Sequence, residues 1–378
     1  MTLALRLDTR VVWEANRGKP VHKNSTVSFG QDGNLVLADA HGNVVWQTNT
    51  ANKGVVDLQM LPNGNMVLVN TKGEYVWQSF DHPTDTILVS QSLLPGDKNK
   101  LVSRISAIDN RDGPYSLVID GERIIFYYKS KRSAMPEIYS LMKPMFIEGG
   151  VLEKMTVQSY HASTDPYLHD ILLNFTLLDK SSFALGTAEL TYNATYSFLQ
   201  LGQDGNLRIY TYYDKLYGWT GRNAWHATFT LFSADLPYLE SQCQLPEKCG
   251  NFGLCEDNQC VACPTPKGLM GWSKKCSPPK LPRNCNGAEN VEYYKIAGVD
   301  HFSSSYSGEG PMRLVECKEK CNEDCKCLGF FYNEDTSMCL ATHQLKTLTK
   351  VSNSTHLAFI KMAKQDHPIS QYLDFLAM

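Results

Sequence analysis

Polar and apolar residues follow one pattern that occurs twice, as an internal repeat, near the start of the chain. Asp-Gly-Asn-Leu-Val-Leu at residues 32–37 returns as Asn-Gly-Asn-Met-Val-Leu at residues 63–68, and each copy continues through a second Gly to Val-Trp-Gln. A polar Asx-Gly-Asn turn before an apolar run predicts a turn that feeds a strand, and the second Gly predicts a return strand. Each copy therefore predicts one small three-stranded lobe.

Tryptophan recurs at nearly the same interval as the repeat. Trp13, Trp46 and Trp77 are separated by 33 and 31 residues. One lobe cannot bury its own Trp, so neighbouring lobes must share a core. We expect three lobes around one axis, which is a β-prism, with the three Trp side chains packing that axis.

The first residues of the chain also predict strand structure. Residues 1–8 alternate and are interpreted as a strand that runs straight into Val11, Val12 and Trp13. They lack the basic-then-apolar layout of a secretory signal, so we expect a leader and some leading strands to be missing from this sequence. No run of about 18 apolar residues occurs, and no membrane span is predicted.

The following part of the chain is again rich in strand patterns. Residues 113–120 and 123–128 predict strands, and residues 204–210 together with Trp219 restate the repeat more loosely. A second β-prism is expected here. Residues 140–169 show no clear period, so the boundaries of this domain are poorly defined by the pattern.

Composition and charge narrow the class of protein. The 378 residues are 43% apolar and 20% charged, which is ordinary for a globular protein of two or three domains. The formal net charge is −3 and no Lys/Arg block suited to phosphate contacts is present; the basic run from Lys129 to Arg132 is interpreted as a solvated loop. Nucleic acid is therefore not expected as a partner.

The cysteines mark a change in how the chain is stabilised. All twelve lie between Cys243 and Cys339. An even number of closely spaced cysteines predicts a disulfide framework made in an oxidising compartment. Four glycosylation sequons agree with secretion: Asn24, Asn174, Asn193 and Asn353. Cys260-x-x-Cys263 also matches half of a zinc knuckle, but no second half of matching spacing exists, so zinc is the weaker alternative and no metal site is predicted.

Several motifs resemble a known family. Residues 12–20, the Asx-Gly-Asn repeat and residues 76–86 look like the bulb-type, mannose-binding lectin domain of plant S-domain proteins. The whole chain resembles the plant epidermis-specific extracellular glycoproteins, which lack the membrane span and kinase of their receptor relatives. The resemblance implies a mainly β protein of the apoplast or cell wall. Its implied parts are a bulb-type lectin domain at 1–87, a second lectin-like β-prism at 88–241, a small disulfide-rich EGF-like module at 242–280, an α+β PAN/apple domain at 281–363, and a tail at 364–378.

The resemblance also implies a disulfide pairing, although six cysteines alone allow 15 arrangements in each module. For the EGF-like module the implied pairs are Cys243–Cys255, Cys249–Cys260 and Cys263–Cys276. For the PAN module they are Cys285–Cys325, Cys317–Cys339 and Cys321–Cys327. Independently of the family, Cys317 and Cys321 lie one turn apart on a helix predicted for residues 313–322, so both face one side, toward a strand predicted for residues 325–332.

The bulb-lectin sugar motif is Gln-x-Asp-x-Asn-x-Val-x-Tyr, whose alternate residues face one side of a strand. Asp and Asn hydrogen-bond a hydroxyl pair, Gln and Tyr reach adjacent hydroxyls, and Val contacts the ring carbons. The matching positions in the three copies are Gly30, Asp32, Asn34, Val36 and Ala38; then Leu61, Asn63, Asn65, Val67 and Val69; then Gly202, Asp204, Asn206, Arg208 and Tyr210. No copy is complete, and each missing hydrogen bond forgoes about 0.5 to 1.5 kcal/mol of binding free energy.

The sequence leaves alternative functions open. These positions are either turns needed only to reverse the chain, or retained contacts to mannose-type glycans or glycoproteins, made multivalent by two domains. In the second case the first copy is the best candidate, because it alone combines Asp32, Asn34 and Val36. A further alternative is an interaction protein whose prisms are spacers and whose PAN module binds a protein partner.

Signatures of catalysis are absent from the sequence. It has no Gly-x-Ser-x-Gly elbow, His-Glu-x-x-His, phosphate-binding loop or dinucleotide fingerprint. His82 lies between Asp81 and Pro83 near Asp85, and we interpret this segment as an inter-domain turn. A glycosidase pair of carboxylates depends on separation in space, which the sequence does not give. The chain is predicted to be no enzyme and to use no cofactor.

Overall fold

A computed structural model describes residues 1–96, 99–131, 133, 135–142, 150–162, 165–186, 191–192, 196–212, 225–234, 240–281 and 290–364. The chain divides into two compact units, residues 1–245 and residues 246–378. Both are built mainly from antiparallel strands, and the predicted fold class, mainly β with a disulfide-rich C-terminal part, is confirmed. None of the helices in the described part of the chain has the length and apolar character needed to cross a bilayer.

Three small sheets begin the first unit, and we call them the first prism. Their strands are β1 (Ala4–Leu7) and β2 (Arg10–Glu14); β3 (Thr26–Phe29), β4 (Leu35–Ala38) and β5 (Val44–Gln47); β6 (Val55–Met60), β7 (Met66–Asn70) and β8 (Tyr75–Gln78). The two copies of the repeat thus form the second and third sheets with the same order and register. The predicted three-stranded lobes are confirmed.

The three tryptophans meet on the axis of the first prism. The ring centroids of Trp13, Trp46 and Trp77 are 5.8 to 5.9 Å apart in all three pairs, and every pair is edge-to-face. This arrangement is favourable because the positive edge of each ring faces the negative face of the next. Leu35 and Leu68 complete the surrounding core. The predicted shared core of three lobes is confirmed.

The start of the chain differs from the prediction. β1 and β2 are an antiparallel hairpin in which Leu7 pairs with Arg10, so the strand does not run straight on to Val11. Asp8 occupies the reversal with a φ of 52°. Asp tolerates this left-handed conformation better than most residues, and the alternating pattern continues across the turn, which is why periodicity alone does not reveal it.

Three larger sheets form the rest of the first unit, and we call them the second prism. Their strands are β9 (Thr86–Leu88), β10 (Ser92–Leu93), β11 (Leu101–Arg104), β12 (Asp112–Asp120), β13 (Arg123–Tyr128), β14 (Glu137–Met142), β15 (Leu152–Ala162), β16 (Asp165–Leu177), β17 (Ser182–Gly186), β18 (Thr191–Tyr192), β19 (Ser197–Leu201), β20 (Leu207–Tyr212) and β21 (Trp225–Thr230). The sheet orders are β9–β19–β20–β21, β11–β12–β13–β14 and β10–β15–β16–β17, with β18 also paired to β16. Trp219 lies outside the described residues.

Two long strands of the second prism were missed by the sequence pattern. β15 and the start of β16 occupy the region of residues 140–169 that shows no period. Their pairing shifts register near Leu152 and again near His161. Each such irregularity moves the following side chains to the opposite face, so the alternation that identifies a strand is interrupted.

The two prisms are joined by shared strands and by a buried ionic network. β9 crosses the predicted boundary at residue 87 and pairs with β19. Arg104 Nε donates to Asp85 Oδ2 (2.9 Å), and its Nη2 lies 3.2 Å from Glu14 Oε2. Asp85 and Glu14 are both buried. The predicted domain boundary remains a prediction, but the structure does not separate the two sides.

The second unit contains the remaining strands and the two α-helices of the described residues. These are β22 (Phe252–Glu256), β23 (Gln259–Thr265), β24 (Gly268–Gly271), β25 (Val291–Ala297), β26 (Val299–His301), α1 (Ser304–Ser307), α2 (Leu314–Glu323), β27 (Gly329–Asn333), β28 (Met338–Thr342), β29 (Lys346–Lys350) and β30 (His356–Ala363). One sheet has the order β24–β23–β22–β29–β26 and the other β25–β30–β27–β28. The predicted EGF-like and PAN segments therefore share a sheet, through the parallel pair β22 and β29.

Disulfides attach loops and helix to these sheets. Four bridges have the pairs that the family resemblance implies: Cys249–Cys260, Cys263–Cys276, Cys317–Cys339 and Cys321–Cys327. Cys243, Cys255 and Cys325 are also disulfide-bonded. Cys285 lies outside the described residues, so the pair assigned to it stays a prediction.

Helix α2 and its disulfides agree with the sequence prediction, but the strand that follows is shorter than predicted. Cys317 and Cys321 point to one side and are fully buried. β27 begins at Gly329 and not at residue 325, because the chain first turns: Cys327 N donates to Asp324 O (3.1 Å) and Cys327 bonds back to Cys321. A closed loop of this size cannot be extended, which delays the strand.

Candidate functional site

The three sugar-motif copies lie on equivalent turns before β4, β7 and β20. Gly33, Gly64 and Gly205 have φ values of +79°, +85° and +81°. A Cβ on Gly33 would lie 2.8 Å from Val55, and one on Gly205 would lie 2.6 Å from the Tyr115 ring. Glycine is required here by both conformation and space, so the turn reading of these residues has a direct structural basis.

In the first copy the motif asparagine is bonded to its own sheet. Asn34 is 7% exposed, and its Nδ2 donates to Gln47 Oε1 (2.9 Å). Its Oδ1 accepts from Thr48 Oγ1 and from the backbone N of Thr50, both at 3.1 Å. The amide therefore links the turn before β4 to the residues that follow β5.

The second copy repeats the same arrangement. Asn65 is 3% exposed, and its Nδ2 donates to Gln78 Oε1 (2.8 Å). Its Oδ1 accepts from Ser79 Oγ (3.1 Å) and from the backbone N of Phe80 (3.3 Å). Residues that stand 13 and 14 positions after the asparagine thus have the same roles in both copies.

The third copy reaches the same result with a backbone partner. Asn206 is 2% exposed; its Nδ2 donates to Phe232 O (2.9 Å) and its Oδ1 accepts from Phe232 N (3.1 Å). A buried amide that already has donors and acceptors paired offers little to a ligand, and exposing it would leave backbone groups unsatisfied. In all three copies the asparagine serves the fold.

The first motif position, where mannose-binding relatives have Gln, holds Gly in two of the copies. A Cβ on Gly30 would lie 2.4 Å from Asp32 Oδ1, and one on Gly202 would lie 2.5 Å from Asp204 Oδ1. The carboxylate folds back over the glycine because its Oδ1 accepts the backbone N–H two residues later, at 3.1 Å in each copy. Asp32 therefore closes its own turn in the space where a motif Gln side chain would begin.

In the third copy the acidic residue, Asp204, forms an ion pair with a neighbouring arginine. Arg208 Nη1 and Nη2 donate to Asp204 at 2.9 and 2.5 Å. Burial raises the pKa of Asp204, but the hydrogen bonds and charge of Arg208 outweigh it and hold that pKa below its ordinary value. Tyr210 packs against Phe198, and the Arg10 guanidinium lies 5.5 Å from its ring centroid. This copy is closed by an ion pair.

The apolar motif positions differ between the copies. Val67, in the second copy, is fully buried and is not accessible to a sugar ring. Asn63, which precedes it, is exposed and accepts the backbone N–H of Asn65 (3.1 Å). In the first copy Val36 and Ala38 are half-buried and Asp32 is exposed. The matching positions of the third copy have the same exposure, but there the ion pair of Arg208 and Asp204 covers the face.

His82 and the Cys260-x-x-Cys263 motif, the other candidate sites in the sequence, both have structural roles. The His82 ring stacks on Trp77 at a centroid distance of 5.4 Å, and its backbone O accepts from Trp13 Nε1 (2.8 Å). Burial lowers the pKa of His82, partly opposed by Asp81. The zinc alternative for Cys260 and Cys263 is wrong, because both are in disulfides. Among the described residues no cluster of three or more His, Cys, Asp or Glu is arranged to hold a metal.

Three of the four sequons fall on described residues. Asn24 and Asn353 are exposed in turns, and Asn174 is half-buried in the middle of β16. Asn193 lies outside the described residues. The side chains of Asn24 and Asn353 are both exposed, as an attached glycan requires, although Asn353 Nδ2 donates to Asp335 Oδ2 (2.9 Å). Glycosylation of the four sequons stays a prediction.

Sequence reasoning missed the partners of the motif asparagines. Gln47 and Thr48, with Gln78 and Ser79, follow the asparagines at constant spacing, and Trp-Gln is part of the repeat itself. The sequence shows these partners as a polar pair that follows the Trp in both copies of the repeat. Its role depends on register: Val36 pairs with Gln47, which brings Gln47 beside the start of β4.

Comparison with known proteins agrees with this architecture. A family model described as D-mannose binding lectin matches residues 10–108. EP1-like glycoprotein 1 of Arabidopsis thaliana is 46% identical over 374 residues, covering 93% of this chain and 80% of the relative. The epidermis-specific secreted glycoprotein EP1 of Daucus carota is 48% identical over 320 residues, covering 79% of this chain and 80% of the relative.

A more distant relative carries additional parts. The G-type lectin S-receptor-like serine/threonine-protein kinase SD2-5 of Arabidopsis thaliana is 25% identical over 379 residues. That match covers 96% of this chain and 42% of the kinase. The similarity is therefore confined to less than half of the receptor.

Proposed function

Because this chain belongs to the family of EP1-like, epidermis-specific secreted glycoproteins, we propose that it is a secreted, non-catalytic lectin-like glycoprotein of the plant apoplast or cell wall. In this proposal the three mannose motifs maintain the β-prisms, and recognition of glycans or proteins uses other surfaces. The relatives supply the secreted, lectin-like character. The hydrogen bonds of the motif asparagines support the structural role of the motifs.

One observation carries the proposal. The amides of Asn34, Asn65 and Asn206 are buried and hydrogen-bonded to the neighbouring chain. A sugar hydroxyl that took one of these amides would have to replace bonds already made, so binding would gain little free energy. Mannose-type glycans are accordingly not expected to bind through the motif.

The proposal predicts no specific retention of the secreted protein on immobilised mannan. The double variant Gly30→Gln with Ala38→Tyr restores both lost polar positions of the first copy and forces Asp32 out of the turn. The Asn34 amide stays bonded to Gln47 and Thr48 in this variant, so we expect its retention to remain as low as that of the parent. A gain of retention that free mannose competes would show that the missing Gln and Tyr, and not the buried amide, prevent binding. The elution volume on a mannan column measures the retention of the parent and that of the double variant.

Asp32→Ala is the matched control in the parent sequence. It removes the one exposed acidic group of the first copy and should leave the elution unchanged. If the parent is retained, free mannose elutes it, and Asp32→Ala abolishes that retention, the first copy binds glycan and the proposed role of the motifs is wrong.

A further inference from the structure

A cavity of about 240 Å³ lies in the second unit, away from all three motif copies. Its walls come from β27, β28, the start of β30 and the short helix α1. At about 30 Å³ per molecule of liquid water, the space corresponds to about eight waters. The volume lies below the roughly 300–1,000 Å³ of pockets for drug-sized ligands and suits a ligand about the size of one sugar ring.

A hydrogen-bonded histidine forms one wall of the cavity. Asn333 Oδ1 accepts the backbone N–H groups of Asp335 (2.9 Å) and Thr336 (3.2 Å), which fixes the direction of its amide. Asn333 Nδ2 therefore donates to His356 Nε2 (3.0 Å), and His356 Nδ1 donates to Asp300 Oδ2 (2.9 Å). The three side chains are a rigid row with a fixed tautomer.

Two free hydroxyls also line the cavity. Ser305 and Thr336 are exposed and line the cavity. Within the part of the chain that the structure describes, neither hydroxyl has a protein partner. Met338 and Leu340 add an apolar floor. A small concave site with an apolar floor and a few placed polar groups has the character of a small-molecule site.

Charge restricts the class of ligand. No Lys or Arg side chain is among the described residues that line the cavity, so an anion such as a phosphate or a carboxylate has no counter-charge. The one carboxylate, Asp300, already accepts from His356 and from the backbone N of His301 (2.8 Å). A cation would compete with those bonds. A neutral ligand with several hydroxyls and an apolar face is the best match, and pyranose rings have both.

We propose that this cavity binds one neutral sugar residue, with Ser305 and Thr336 bonding its hydroxyls and Met338 and Leu340 contacting its ring carbons. The site is independent of the mannose motifs. It goes beyond the proposed function, which names no recognition surface.

The test uses the full-length secreted protein and saturation-transfer NMR with single free sugars: D-mannose, D-glucose, D-galactose and L-arabinose. We expect at least one sugar to receive saturation. Ser305→Trp should fill the cavity and abolish the signal, and Thr336→Val should raise the Kd by about two- to tenfold through loss of one hydrogen bond. Val315→Trp, on an exposed position of α2 outside the cavity, is the matched control and should keep the signal.

Two results would overturn the inference. One is the absence of saturation for every sugar in the panel; the other is an unchanged signal in Ser305→Trp. The Asp32→Ala variant distinguishes this site from the first motif copy. A saturation signal that is kept in Asp32→Ala supports binding in the cavity. A signal that is lost in Asp32→Ala but kept in Ser305→Trp places the sugar at the first motif copy and contradicts binding in the cavity.

Discussion

At the scale of single residues, His301 is the clearest case of an environment that controls a titratable group. The ring is fully buried, with Nδ1 2.8 Å from Ser303 Oγ and Nε2 donating to Gln344 O (3.1 Å). Burial lowers the pKa of His301 to about 4, although Asp300 and the Gln344 carbonyl oppose the shift. The native protein therefore keeps this histidine neutral in conditions where an unfolded chain protonates it.

This shift predicts acid sensitivity of the second unit. Between the unfolded value of 6.5 and the folded value of about 4, the unfolded chain binds the extra proton, so the free energy of unfolding falls as pH falls. His301→Gln keeps a donor for Gln344 and does not titrate. We expect the stability advantage of the parent over this variant to shrink by about 3 kcal/mol from pH 7 to pH 4. Urea unfolding with intact disulfides at several pH values measures it.

His22 provides the control for that experiment, because it is exposed on the first unit. The stability difference between the parent and His22→Gln should stay nearly constant over the same pH range. A constant difference for His301→Gln as well would show that burial of His301 does not govern the acid response.

At the scale of secondary structure, the repeating element is a turn held to the following strand by one asparagine. Asn65→Ala removes the acceptor of Ser79 Oγ and Phe80 N and leaves these groups unpaired. We expect the first unit to lose at least about 2 kcal/mol of unfolding free energy. Calorimetric unfolding reports the loss as a lower transition temperature.

Asn63→Ala is the companion variant, since Asn63 is exposed and accepts only the N–H of Asn65 among the described contacts. Its cost should remain below about 1 kcal/mol. Equal costs for the two variants would mean that the turn, and not the link to β8, provides the stabilisation.

The repeat also explains what could be predicted from the sequence. Strand, turn and Trp positions depend on local pattern, so the lobes and their Trp core followed from residues 13–79 alone. The direction of the Asn34 amide depends on Gln47 across the sheet, and the cavity beside His356 combines residues from Asp300 to Leu357. Such juxtapositions are set by tertiary register, which periodicity does not contain. The chain reversal at Asp8 was missed because the alternation of apolar and polar residues continues through the turn.

At the scale of the molecule, Arg104 connects elements far apart in the sequence. It is the cation shared by Asp85 and Glu14, which are both almost fully buried. Arg104→Met would leave two buried carboxylates without their counter-charge, and the expected loss is about 3 to 5 kcal/mol in the stability of the first unit. Denaturant titration followed by Trp fluorescence checks this value.

Arg123→Met is the surface control. Arg123 lies 3.9 Å from Asp120 and both side chains are exposed, so this substitution should change the unfolding free energy by less than about 1 kcal/mol. A loss of similar size at Arg104 would show that the network contributes no more than a surface pair.

The parallel pair of β22 and β29 has a consequence for the order of synthesis. Phe252 pairs with Lys346, and Leu254 pairs with Leu348. While the ribosome is still adding the intervening residues, the hairpin of β22 and β23 has an unpaired edge that only a much later part of the chain can cover. Such an edge is open to association with other chains during this interval. A chain that ends before Lys346 leaves this edge of β22 unpaired, so we expect it to associate with other chains more readily than the full chain does.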